Sequence, residues 1–156
     1  METSVSVEVN APKEEVWKAI TDFENCQTYI SAINNLEILH QPEDTLIGFK
    51  WKESRTMFGK EAVETMWITE CEENSYNQTR AESHGSIYIS RMAVESLGDK
   101  TKLSFSFKGE AVSFFAKIMM KLMSGMMKKS MDEAMCTDLD DIKAYVEANY
   151  QPSTAS

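Results

Sequence analysis

Glu53 and Arg55 are the sharpest polar pair in the sequence. Between Gly48 and Phe58, Phe49, Trp51, Glu53, Arg55 and Met57 alternate with Lys50, Lys52, Ser54 and Thr56, so a strand turns a charged pair and two aromatic rings to one face. Buried charges are costly unless paired. The two residues therefore bridge each other, sit at a cavity mouth, or use Arg55 to hold a ligand's carboxylate or carbonyl; the plainer alternative is a strand end emerging into water. On the next strand either Glu64, Met66 and Ile68 or Val63, Thr65 and Trp67 face inward. An inward Glu64 would have its pKa raised by desolvation and could act as a general base toward an enolisable ketone; an outward one is ordinary solvated surface. Tyr88, with Ser90, Met92 and Val94, is assigned to an inward face and could offer a ligand its hydroxyl, although Ile87 and Ile89 contest that register.

The other polar candidates are weaker. His40 ends an expected strand and His84 precedes Gly85 at an expected turn, and neither has a carboxylate or nucleophile partner in sequence. The acidic run Asp138, Asp140 and Asp141 reads as solvated helix surface, since metal binding needs convergent ligands that this spacing does not supply. Cys26, Cys71 and Cys136 are far apart and form no CxxC or Cys/His spacing, which argues against a disulfide scaffold or a zinc site and fits a reducing compartment. No metal and no cofactor are expected.

These residues must be positioned by a chain of 156 residues, long enough for one domain, assigned to 1–150, with a small polar tail at 151–156 read as disordered. With 42% hydrophobic and 26% charged residues it should fold as a soluble globule. The net charge of −9 and the lack of an aromatic-interleaved basic cluster exclude nucleic acid as a natural partner, and the same charge disfavours tight docking on an anionic membrane. No signal peptide is seen at the N-terminus, and lysines interrupt every apolar run before it could span a bilayer. A cytoplasmic location is expected.

Val5, Val7 and Val9 alternate with Ser6 and Glu8 as in a half-buried strand. A helix then opens at Pro12, with Glu14 and Glu15 in its first turn and Val16, Trp17, Ile20 and Phe23 as its apolar stripe. A shorter helix is expected over Cys26 to Ile33, broken by Asn34-Asn35 before a second strand. Five more strands fit between Leu46 and Gly109, punctuated by Gly48, Phe58-Gly59-Lys60, Glu73-Asn74, His84-Gly85-Ser86 and Gly98-Asp99-Lys100. In the last of them Leu103, Phe105 and Phe107 share a face.

A long helix is expected from about Val112 to Asn149. Its first part sets Phe115, Met119, Leu122 and Met126 opposite Lys117, Lys121, Ser124 and Lys128, whereas its second part buries Met131, Met135, Leu139, Ile142 and Val146 on the side the lysines had held. That reversal predicts a kink or short break near Ser124-Gly125. Seven of the 11 methionines lie here, at 119, 120, 123, 126, 127, 131 and 135. They are core filler, the adaptable wall of a cavity, or a dimer or partner surface.

Strand, two helices, about six strands and a terminal helix describe an α+β domain. In Val9-Asn10-Ala11-Pro12-Lys13-Glu14-Glu15-Val16-Trp17, Thr65-Met66-Trp67-Ile68-Thr69-Glu70 and Asp138-Leu139-Asp140-Asp141-Ile142-Lys143-Ala144-Tyr145-Val146-Glu147 the sequence resembles the START/Bet v 1-like (SRPBCC) superfamily, and within it the polyketide cyclase/dehydrase-like group. The resemblance implies a helix-grip fold, a curved antiparallel sheet of about seven strands wrapped around a long C-terminal helix, with two short helices after the first strand. It also implies an internal cavity for lipids, polyketides, isoprenoid quinones, steroids or plant hormones, and it favours the inward setting of Glu64, Met66 and Ile68. It carries over no acid, base or nucleophile.

The function expected is binding or transport of a hydrophobic small molecule in that cavity. Phe49, Trp51, Glu53 and Arg55 would line it from one strand, Glu64 and Met66 from the next, Tyr88 and Met92, then Phe105 and Phe107, from two more, and Met119, Met123 and Met127 from the helix. Arg55 or Tyr88 would orient the polar end. The alternatives are a cyclase, dehydratase or isomerase using Glu64, Glu53 and Tyr88, and an interaction module or homodimer built on the Met-rich helix.

Overall fold

The computed structural model describes residues 1–57 and 59–150, and of Ser124 the backbone alone. Phe58 of one expected turn and the expected tail 151–156 lie outside the described residues. The chain runs β1 (Glu2–Val9), α1 (Lys13–Ile20), α2 (Cys26–Tyr29), β2 (Ile33–His40), β3 (Lys50–Met57), β4 (Lys60–Glu72), β5 (Tyr76–Ser83), β6 (Ser86–Leu97), β7 (Lys100–Ala111) and α3 (Phe114–Asn149). All neighbouring strands are antiparallel, and the seven-stranded sheet has the order β1-β7-β6-β5-β4-β3-β2. The first and second strands of the sequence thus form its two edges. The curved sheet grips α3, as expected from the sequence.

Each β-turn falls where the sequence marks it. His84 and Gly85 both take positive φ, 50° and 74°, the pair of left-handed residues that a two-residue hairpin of right-twisted strands requires. Gly85 has a second duty. Its carbonyl accepts the amides of Val112 and Ser113 at 2.9 and 3.2 Å, and a Cβ there would meet Ser113 Oγ at 2.5 Å. Ser113 caps α3 by accepting the Ala116 amide, so this hairpin fixes where the long helix begins.

The core lies under the C-terminal half of α3, where Leu139, Ile142 and Val146 meet Val9, Val16, Ile68 and Leu103. Polar ties reinforce the seat along β1: Thr3 to Asp132, Lys143 Nζ to the Glu8 carbonyl at 2.7 Å, and the Asn10 amide to Glu147 at 3.1 Å. Asp141 accepts both the amide and hydroxyl of Ser31, at 2.9 and 2.7 Å, which pins the segment between α2 and β2 to the helix.

Three expectations from the sequence need correction. Asn34 and Asn35 do not end a helix; α2 stops at Tyr29, and the two asparagines lie inside β2 at a register shift. A bulge absorbs residues that would otherwise break the strand. The helix α3 is unbroken through Gly125. Its inward line, Ala116, Met120, Met127, Met131, Met135, Asp138 and Ile142, keeps helical spacing along the whole length, so no reversal of the buried face occurs. The stripe Phe115, Met119, Leu122 and Met126 is left exposed instead. Third, Asp138 is not solvated surface but 3% exposed.

Candidate functional site

A cavity of about 320 Å³ lies between the sheet, the α1–α2 segment and α3, within the size range of small-molecule sites. Strand alternation supplies one wall. Trp51, Glu53, Arg55 and Met57 enter from β3, Glu64 and Met66 from β4, Tyr88, Ser90 and Met92 from β6, and Phe105 and Phe107 from β7. The inward choice of Glu64, Met66 and Ile68 is the one adopted, and Tyr88, Ser90, Met92 and Val94 share a face as read. The Tyr88 ring stacks on Phe107 at 5.7 Å between centroids.

Ten of the residues singled out from the sequence therefore meet around one space: Trp51, Glu53, Arg55, Glu64, Met66, Tyr88, Met92, Phe105, Phe107 and Met127. Phe49 does not line it. It is 4% exposed in the core beside the cavity, its ring 4.7 Å from that of Phe23. Met119 and Met123 face a separate groove with His84, Ser86 and Phe115, because the inward line of α3 passes through Met120 and Met127. His40 is exposed at the end of β2 and His84 at the hairpin turn.

Much of the second wall was missed by sequence reasoning: Phe23, Cys26, Tyr29 and Ile30 come from the α1–α2 segment and Asp138 from α3, beside Met131 and Met135, which were among the methionines offered as core or cavity wall. Phe23 stood in the apolar stripe assigned to α1, yet nothing in sequence said that this stripe would overhang a cavity. The Tyr29 ring stacks on Tyr145 at 4.0 Å and its hydroxyl donates to the Ala19 carbonyl at 2.6 Å. Burial pushes the Tyr29 hydroxyl above its usual range and raises the Cys26 thiol to about 12, so both stay neutral.

The polar end of the cavity is a buried charge cluster. Arg55 Nε donates to Glu53 Oε2 at 2.8 Å, and Arg55 Nη1 donates to Asp138 Oδ2 at 2.9 Å. Trp51 Nε1 donates to Glu53 Oε1 at 3.3 Å. Both Glu53 oxygens are thereby engaged, and Glu53 is 7% exposed. Asp138 is different. Its Oδ1 is buried and has no hydrogen-bond partner among the described protein groups. Burial raises the Asp138 pKa, and Arg55 offsets only part of that rise. For Arg55, the charges of Asp138 and Glu53 together outweigh burial and raise its pKa. The alternatives left open for Arg55 resolve into a bridge to Glu53, extended to a second carboxylate 83 positions away. An arginine between two carboxylates satisfies its own charge and leaves the spare acceptor on the aspartate.

Among the described residues no cluster of three or more His, Cys, Asp or Glu side chains is arranged to hold a metal ion. The three cysteines are unpaired, Cys26 buried, Cys71 half-buried and Cys136 exposed.

An antiparallel sheet gripping one long helix, with an apolar hollow between them, defines a helix-grip domain of the START/Bet v 1 kind. The chain belongs to the polyketide cyclase / dehydrase and lipid transport family, whose sequence model matches residues 1–147. Among solved structures, it is similar to TTHA0849 from Thermus thermophilus, with 18% identity and a TM-score of 0.81, covering 97% of this chain and 100% of that one. It is also similar to a START superfamily protein from Mycobacterium smegmatis, with 21% identity and a TM-score of 0.79 over 96% and 99% of the two chains. The Zhui aromatase/cyclase from Streptomyces sp. R1128 shares 13% identity with a TM-score of 0.76 over 100% and 99%. These likenesses establish the fold. No curated protein sequence matches at a significant level.

Proposed function

We propose that this protein binds a hydrophobic small molecule in the cavity between sheet and α3, and that the molecule carries a hydroxyl or other hydrogen-bond donor at one end. The observation that carries the reading is the buried, unpartnered Oδ1 of Asp138, a residue lining a mainly apolar hollow beside Glu53 and Arg55. A buried acceptor without a partner costs about 1–3 kcal/mol. A ligand donor placed there recovers that cost and fixes orientation, while the rings of Trp51, Phe105 and Phe107 and the thioethers of Met66, Met127 and Met131 accommodate the apolar body. Methionine adapts to varied shapes, so selectivity should rest on the polar end.

A cyclase or isomerase needs a free base, and Glu53 has both oxygens occupied by Trp51 and Arg55, so a turnover reading would rest on Asp138 or Glu64, which also line the cavity, and not on Glu53.

The test is native mass spectrometry of the purified protein with solvent extraction of co-purifying compounds, together with titration by the neutral apolar probe N-phenyl-1-naphthylamine. Ala81, 5% exposed and part of the cavity lining, is changed to Phe to fill the space. Wild type should retain an apolar compound and bind the probe, and Ala81→Phe should lose at least about tenfold in probe affinity, the equivalent of roughly 1.4 kcal/mol. Equal probe binding by a folded Ala81→Phe protein would place the binding elsewhere and end the proposal.

A further inference from the structure

The first half of α3 exposes an apolar face that the fold does not use. Phe114, Phe115, Leu122 and Met126 are 81%, 73%, 76% and 73% exposed, with Ile118 and Met119 beside them at 44% and 40%. At 100° per residue these side chains span a continuous arc of about 140°, with Lys129 in line with it just beyond Met126, and Ala116, Met120 and Met127 cover the inward side. A face of this size on the surface of a folded domain marks an interaction site.

The net charge of −9 disfavours docking of the molecule as a whole on an anionic membrane, but screening confines that repulsion to short range, and the charge local to this face indicates what covers it. From Ala111 to Met131 there are four lysines, Lys117, Lys121, Lys128 and Lys129, and no Asp or Glu. Without those four, 12 basic residues stand against 25 acidic ones, so the rest of the molecule carries −13. The only strongly basic segment of an acidic protein thus coincides with its only long exposed apolar helix face among the described residues. Lys117 and Lys128 fall on one border of that face, where their chains can extend past buried apolar groups to reach headgroups. A second copy is a poor occupant, because face-to-face pairing would bring two sets of four lysines together.

We propose that the Phe114–Met127 segment of α3 docks on an anionic lipid surface, apolar face inward and lysines at the headgroups. No helix of the described residues is long and apolar enough to cross a membrane, so the contact is interfacial. Its location adds to the case. The groove beneath this segment shares Tyr88 and Met127 with the cavity, so docking sets one end of the hollow against lipid. The docking inference does not depend on what the cavity holds.

The experiment is flotation with vesicles of phosphatidylcholine alone or with about a third phosphatidylserine, at low and high salt, with light scattering of the free protein. Wild type should partition at least about tenfold more strongly onto the anionic vesicles and release them at high salt. Phe115→Glu with Leu122→Glu should abolish flotation, and Lys117→Gln, Lys128→Gln and Lys129→Gln together should weaken it about a hundredfold at low salt, about fivefold per charge. These sites are exposed, and unchanged circular dichroism and urea midpoints check that the variants remain folded. Wild type that stays unbound at low salt overturns the proposal, as does a Phe115→Glu, Leu122→Glu protein that floats like wild type. A dimer in free solution that the same double change converts to monomer also overturns it, because the occupant is then a second copy. Loss of probe binding in the Ala81→Phe protein with flotation intact would separate the two sites.

Discussion

Replacing Arg55 by methionine tests the buried charge cluster directly. The guanidinium is 2.8 Å from Glu53 and 2.9 Å from Asp138, and the three side chains are 19%, 9% and 4% exposed. Arg55→Met keeps most of the volume and removes both ion pairs, leaving two carboxylates buried without a counter-charge. Breaking a buried pair in this way costs about 3–5 kcal/mol; with Arg55 partly accessible, a value near 3 kcal/mol is expected, or roughly 6–12 °C in Tm for a domain of this size. The pH dependence gives the sharper check. Burial already raises Asp138 against the pull of Arg55, and without that pull the folded-state Asp138 carboxyl should titrate further above its unfolded value of about 4. A raised pKa contributes stability below the unfolded value and loses it as pH rises through the folded one. The deficit of Arg55→Met should therefore be largest near neutral pH and shrink as pH falls toward about 4–5. Urea unfolding of both proteins at several pH values measures it. A loss below about 1 kcal/mol at pH 7, in the range of an exposed pair, or a deficit that grows on acidification, would refute the argument.

Other outcomes follow from single contacts. Gly85→Ala must hold a Cβ at φ 74° and 2.5 Å from Ser113 Oγ, so it should lose about 2 kcal/mol or more in thermal or urea unfolding; a neutral result would mean that the hairpin does not set the start of α3. Cys136 should react with a maleimide at once and Cys26, buried with its thiol at about 12, only on unfolding; equal rates at pH 8, followed by peptide mapping, would contradict that packing. Asp138→Asn puts an amide where the spare acceptor stands and weakens the tie to Arg55. It should reduce affinity for hydroxyl-bearing apolar ligands by about tenfold while changing N-phenyl-1-naphthylamine binding little, since a lost hydrogen bond to a charged group is worth about 1.5–3 kcal/mol; calorimetric titration decides it.

The sequence determined the seven strands, their turns and the inward face of most of them, because alternation with period two is local and turn residues act through their own backbone. Trp51, Glu53, Arg55, Phe105 and Phe107 were legible for that reason, Met66 only through the family resemblance, and Tyr88 and Met92 against a contested register; all line the cavity. The terminal helix was legible as a helix but not in its orientation. Its N-terminal half offers an apolar stripe through Phe115 and Leu122 and another through Met120 and Met127, and periodicity cannot say which stripe meets protein. The sheet chose the second, and so left the first to solvent. Asp138 reads as one of three surface acids until Arg55, on a strand far away in sequence, lies 2.9 Å from it. Whether a carboxylate is solvated or buried is settled by what the chain brings opposite it, and that is decided only when sheet and helix close on each other.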